Sequence, residues 1–240
     1  LMSSQLIPLF LYENYLHYGI NKWITFSLDR CPMGLVVGPT GSGKTYASIQ
    51  LLTRIRMATN CEIYVADQKS DTDFQFLEGS KHFYRYPECG KGLHDFYNRF
   101  QQRQNGTDKD RHPLVLFFDE WSSYCNAGDK KSIEEDKKLL GILVSMGRSF
   151  RCHVIISQQR ADAIYFNQFR DNFSLCIGMS NLGQQSREML FPDYAKDLLP
   201  DRTRGTGYLS MNGEKPVAFF TPPIKDIYRV HRIIREAVDT

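Results

Sequence analysis

No run in this 240-residue chain is long and apolar enough to cross a bilayer. The most apolar stretch near the start, Leu6 to Tyr12, is far too short and is interrupted by Pro8. No signal-peptide pattern is present. The six cysteines (31, 61, 89, 125, 152 and 176) form no CxxC and no Cys/His ligand spacing. That argues against a zinc site, and a disulfide framework belongs to much smaller secreted chains. They read as reduced thiols of a cytosolic protein, which makes the sequon Asn105-Gly106-Thr107 a chance match in a loop. A strong charge of one sign is missing too. Thirty Lys and Arg against 27 Asp and Glu leave +3, so a histone-like or polybasic protein is excluded and any polyanion contact must come from local clustering. Met2 is preceded by Leu1, so the chain reads as a fragment, with room for a membrane anchor outside it.

What remains is ordinary globular composition, 42% hydrophobic and 24% charged, in a length suited to one domain or at most two. Apolar runs alternate with amphipathic stretches, the pattern of a parallel sheet with crossover helices. Strands are expected at 34–37, 62–66, 82–86, 114–118, 153–157 and 174–179. Helices are expected at 44–58, 92–102, 132–146 and 224–238. The run Leu114-Val115-Leu116-Phe117-Phe118 is apolar on both faces and belongs in the centre of a covered sheet. Residues 207–210 and 217–220 should pair across Asn212-Gly213. The expected organisation is a lead-in segment over 1–29 and one α/β domain over 30–240.

Gly38-Pro39-Thr40-Gly41-Ser42-Gly43-Lys44-Thr45 matches GxxxxGK[ST] in full, between an expected strand and an expected helix. Glycines let the backbone wrap so that successive N–H groups point at a β-phosphate, and the helix adds its positive N-terminal end. Lys44 would bridge the β- and γ-phosphates of ATP and the Thr45 hydroxyl would ligate Mg²⁺. The strand 114–118 delivers Asp119-Glu120 at its C-terminal end, where open α/β sheets bind ligands. Asp119 would hold Mg²⁺ through water, and Glu120 would polarise the attacking water. A carboxylate base of that kind suits motor ATPases. The strand from His153 ends in Ser157-Gln158-Gln159-Arg160, where a polar side chain can sense the γ-phosphate or simply cap the strand. Asp67-Gln68-Lys69 closes a further strand at the same edge.

In this order the motifs resemble the motor domain of the FtsK/SpoIIIE DNA translocases, within the FtsK–HerA group of RecA-like P-loop NTPases. The segment Gly147-Arg148-Ser149-Phe150-Arg151 through Gln159-Arg160 is the most similar piece. Gln185-Ser186-Arg187, Leu198-Leu199 and Gly205-Thr206-Gly207-Tyr208-Leu209 also resemble family segments, and Phe219-Phe220-Thr221-Pro222-Pro223 is similar to the coupling ATPases of conjugative elements. The chain departs from the family at Gln185 (usually Asp), Ala161 (usually Pro) and Gln68 (often Pro). It shows no winged-helix DNA-reading domain after the motor.

The resemblance implies a mostly parallel RecA-like sheet flanked by helices, and Mg²⁺-dependent ATP hydrolysis. It implies an arginine finger at Arg148, with Arg187 as a second choice, and a γ-phosphate sensor at Gln159, with Gln158 as its neighbour. Arg148, just before a strand, is expected at the catalytic edge of the sheet, reaching a neighbouring subunit. The implied partners are DNA held through its phosphates, further copies of the chain in a homo-oligomeric, hexameric ring, and membrane or secretion-machinery proteins reached through flanking regions. Two segments are DNA candidates: Asn126 to Lys131, which reads equally as a solvated helix start, and Arg202 with Arg204. A secretion or DNA-packaging ATPase and a non-processive ATP switch are the alternatives.

Overall fold

The computed structural model describes residues 5–240. Its centre is one ten-stranded sheet in the order β2-β1-β10-β9-β8-β3-β7-β6-β4-β5. The parallel part consists of β3 (Met33–Val37), β4 (Glu62–Asp67), β5 (Phe83–Arg85), β6 (Leu114–Asp119), β7 (Cys152–Gln158) and β8 (Leu175–Met179). The antiparallel part consists of β9 (Thr206–Met211), β10 (Val217–Phe220), β1 (Ile7–Tyr12) and β2 (Trp23–Phe26).

The apolar runs become strands because both faces of the sheet are covered. Along β6, Val115 and Phe117 enter one core with α2 (Lys44–Thr59) and α7 (Ile227–Asp239). Leu114, Leu116 and Phe118 enter a second core with α3 (Cys89–Gln104), α4 (Trp121–Ala127) and α5 (Lys130–Met146). Period-two alternation thus feeds two hydrophobic layers rather than one layer and water. The expected hairpin is present, with Leu209 opposite Val217 and Ala218 opposite Tyr208.

The expected lead-in does not stay outside the domain. Residues 7–12 and 23–26 extend the sheet beyond β10, and the four-residue helix α1 (Glu13–Leu16) lies between them. Pro8 lacks an N–H and is tolerated there because the β1–β2 register shifts between Pro8 and Phe10.

His153 sits inside β7, completely buried. Burial pushes its pKa down to about 3, helped by the nearby Arg151 charge. In the unfolded chain it takes up a proton near pH 6.5. The folded value is the lower one, so its contribution is complete above about 6.5 and is lost as pH falls towards 3. The loss is about 1.4 kcal/mol per pH unit in that window. Between pH 7.5 and 4.5 wild type should therefore lose roughly 2–3 kcal/mol more than His153→Leu, measured by urea unfolding. Equal losses would show that another group carries the acid sensitivity.

Candidate active site

The C-terminal ends of the parallel strands bring the expected chemistry to one edge. In register, Asp67 of β4 lies beside Asp119 of β6, which lies beside Ser157 of β7, while Val37 of β3 pairs with Gln158. The phosphate loop leaves β3 next to this row and starts α2 at Lys44. Gly43 has φ 92°, a left-handed backbone open to glycine, and a methyl group there would lie 3.4 Å from the Gly205 nitrogen.

A cleft of about 370 Å³ opens over the loop. Pro39 to Thr45 line it, together with Lys69, Asp73, Glu120, Gln159 and Arg204. Gly38 precedes these residues, its N–H donating to the Gln158 carbonyl at 3.2 Å. The pairing that organises the cleft is Lys44 Nζ to Glu120 Oε1, 2.8 Å apart and nearly closed to solvent. Glu120 reaches it from a left-handed backbone (φ 56°, ψ 48°) at the start of α4, a position of strain for a residue with a Cβ. Lys69 is held by Asp71, with Asp73 at 3.8 Å.

Asp119 is buried directly behind this pair, and its Oδ1 has no partner among the described residues. Burial raises its pKa to about 6, against the lowering pull of the Lys44 charge and a Ser157 hydrogen bond. A buried carboxylate with a vacant oxygen is the kind of group that a cation satisfies. The Ser42 hydroxyl and Glu120 Oε2 are also buried without partners among the described residues. The donor set is hard oxygen, which fits Mg²⁺. Asp67 is fully buried as well, its carboxyl raised by burial while Arg85 Nε stands 3.4 Å away.

The remaining expected residues divide. Gln159 is exposed and lines the cleft. Gln158 points elsewhere, buried, with its amide donating to the Arg160 carbonyl at 2.6 Å. Arg187 lies on α6 (Gln184–Leu190), past the catalytic end of β8, half-buried, and donates to the Leu198 carbonyl at 3.4 Å; it does not line the cleft.

Arg148 requires a correction of place. It lies in the 3-10 turn Gly147–Phe150 that precedes β7, and β7 runs towards the phosphate loop. Its surroundings are the other end of the sheet: a methyl group on Gly147 would lie 3.2 Å from Met33 Cε, at the start of β3. At about 3.3 Å per residue, the length of β7 puts Arg148 roughly 20 Å from its own phosphate loop. It is exposed there.

The two DNA candidates also resolve differently. Arg202 is enclosed, 2.7 Å from Glu13 and stacked 4.9 Å from the centre of the Tyr208 ring, while Arg204 turns to the cleft. Asn126 to Lys131 is a tight turn between α4 and α5, with the Asp129 side chain accepting from the Lys131 and Ser132 N–H groups. Of the acids that follow, Asp136 is buried against Tyr124 and His94, and Glu134 pairs with Lys137 at 2.9 Å. Lys130, Lys131 and Lys138 stay exposed.

A mostly parallel sheet with a complete phosphate loop on its central strand, and a buried Asp-Glu pair ending a nearby one, has the P-loop ATPase fold. No family model matches the chain. It is similar to the FtsK domain-containing protein YdcQ of Bacillus subtilis (strain 168), 24% identical over 234 residues, covering 90% of this chain and 48% of the relative. The chain therefore spans about half of that protein. In fold it is similar to the cytoplasmic domain of the type VII secretion ATPase EccC of Thermomonospora curvata, with a TM-score of 0.72 and 18% identity, covering 98% of this chain and 31% of that one. It is also similar to the pCW3 conjugation coupling protein TcpA, solved in a monomer form with ATPγS, with a TM-score of 0.70 and 18% identity over 98% of this chain and 71% of that one. These matches bear out the resemblance to FtsK-type ATPase domains that the motifs carry. Among the described residues, no helix is long and apolar enough to cross a membrane.

Proposed function

We propose that this chain is the motor part of a DNA-moving ATPase. Its substrate is ATP, it works with Mg²⁺, and it acts as a homo-oligomeric, hexameric ring through which DNA passes in conjugative transfer or DNA partition. The observation that carries the reading is the 2.8 Å Lys44–Glu120 pair over the phosphate loop. Before nucleotide arrives, that pair neutralises the loop lysine and holds the general base. A γ-phosphate entering the loop competes for Lys44 and releases Glu120 to take a proton from an attacking water. Thr45 and Asp119 would hold Mg²⁺, which supplies charge neutralisation and alignment of the phosphate oxygens when bound. Gln159, which lines the cleft, would hydrogen-bond the γ-phosphate or that water. The working place is the cytoplasmic side, with tethering through parts outside this chain.

DNA is favoured as the polymer by the likeness to a conjugation coupling protein and by the exposed lysines of α5, two of whose neighbouring acids, Glu134 and Asp136, are already paired. Contacts to backbone phosphates need cations, not base readout. In fluorescence anisotropy, affinity for duplex DNA should fall about tenfold or more between 50 and 200 mM salt, and scrambled duplexes should compete equally. Lys130→Glu with Lys131→Glu should weaken DNA binding and leave ATP binding unchanged. The likeness to a secretion ATPase supports a second reading, with a polypeptide in the pore. No DNA binding at low salt by a verified oligomer, and no stimulation of hydrolysis by DNA, would favour that second reading.

A further inference from the structure

Three cations line the phosphate cleft, and two of them are already paired. Lys44 is held by Glu120 at 2.8 Å and Lys69 by Asp71. The third, Arg204, has neither an ion pair nor a side-chain hydrogen bond among the described residues, although it is one of the residues walling the cleft. Its stem lies against the loop: a methyl group on Gly43 would be 3.8 Å from Arg204 Cγ.

The backbone that carries Arg204 is fixed on every side. Two residues earlier, Arg202 is pinned between Glu13 and the Tyr208 ring. One residue later, the Gly205 N–H donates to the Ser42 carbonyl of the phosphate loop at 3.0 Å, and the Gly205 carbonyl accepts from the Thr221 N–H at 2.8 Å. At Gly207 the chain runs so close to β8 that a methyl group would fall 2.0 Å from the Gly178 carbonyl oxygen. A fixed main chain keeps the exposed, unpaired guanidinium at the cleft, so only its side-chain rotamers are left to be ordered when an anion arrives.

Resting on the ATP reading above, we propose that Arg204 is a phosphate-binding arginine supplied in cis, gripping the phosphate chain of the bound nucleotide. Arg204 and Lys44 then divide the work. Lys44 must leave Glu120 to meet a phosphate, whereas Arg204 is free in the resting cleft and meets it first. Guanidinium suits this role because its planar fork binds phosphate oxygens bidentately. The same segment joins the phosphate loop to α1 and β9 through Arg202, so a nucleotide held by Arg204 is mechanically linked to the antiparallel side of the sheet.

The test measures binding of a fluorescent ATP analogue to the full chain, with unlabelled ATP and inorganic tripolyphosphate as competitors. Arg204→Ala should weaken both competitors about tenfold, the scale of one charge-assisted contact. Arg204→Lys should recover part of the loss, since it keeps the charge without the fork. Both variants should unfold at the wild-type temperature without nucleotide, because Arg204 is exposed. Unchanged binding of ATP and tripolyphosphate by Arg204→Ala would overturn the proposal. So would weaker ATP with unchanged tripolyphosphate, which would place the guanidinium on the base. A wild-type chain that binds no nucleotide would overturn the ATP reading itself, and the proposal with it.

Discussion

Glu120→Gln is expected to bind ATP at least as tightly as the wild-type chain and to hydrolyse it about a thousandfold more slowly. Both halves follow from the same contact. Glutamine keeps the shape of the side chain but cannot take a proton from water, so the chemical step loses its base. It also cannot hold Lys44 as a carboxylate does at 2.8 Å, so the lysine reaches a phosphate without first breaking an ion pair. Removing one partner of a buried pair is usually costly because the other charge is left alone. Here the stranded charge is a cation on a phosphate loop, and ATP itself supplies the counter-ion. The variant should therefore be less stable than wild type when empty and recover on adding Mg²⁺-ATP, as a thermal shift larger than the wild-type shift. Steady-state turnover and nucleotide titration test the two halves separately. Hydrolysis at the wild-type rate would remove Glu120 from the role of base. A loss of turnover with a matching loss of ATP binding would make it a structural partner of Lys44 instead.

How much of this could be read from sequence depends on what each residue's position is set by. The phosphate loop and the Asp119-Glu120 pair were legible because their chemistry is local: a strand, a turn with fixed spacing, then a helix. The central strands were legible because burial on both faces leaves nearly continuous apolar runs, as in Leu114 to Phe118. β1 and β2 were not, since they are short, one contains Pro8, and they are strands only by virtue of pairing with β10 and each other. Gln158 and Gln159 are adjacent in sequence, but strand alternation sends one into the core and the other to the cleft.

Arg204 was legible only as a basic residue near Arg202. It reaches the site because β9 is antiparallel to β8, so β9 starts at the catalytic edge where its neighbour ends, and no local pattern announces that reversal. Arg148 was misplaced for the opposite reason. A parallel strand that finishes at the phosphate loop must begin at the far side, and everything just before it lies there too.

That displacement bears on the proposed ring. From roughly 20 Å away, Arg148 cannot touch the phosphates of its own subunit. In a closed head-to-tail ring, the surface that carries a subunit's loop meets a different surface of its neighbour, so a group supplied in trans has to lie away from its own loop. Exposure at the far end of the sheet meets that condition. An arginine supplied in this way acts on charge that develops in the transition state, and such fingers contribute about 10³-fold or more to turnover. Arg148→Ala should thus lower the rate steeply and leave ATP affinity nearly unchanged.

The decisive measurement mixes this inactive variant with inactive Lys44→Ala. A Lys44→Ala subunit offers an intact Arg148 to the intact phosphate loop of an Arg148→Ala neighbour, so mixed rings should recover hydrolysis that neither variant shows alone. Recovery should peak at intermediate ratios and vanish at the extremes. Mixed assemblies that form but recover nothing at any ratio would remove Arg148 from the finger role. The same mixture made with Arg187→Ala would then be the one to run, because Arg187 sits beyond the catalytic end of β8 and outside its own cleft.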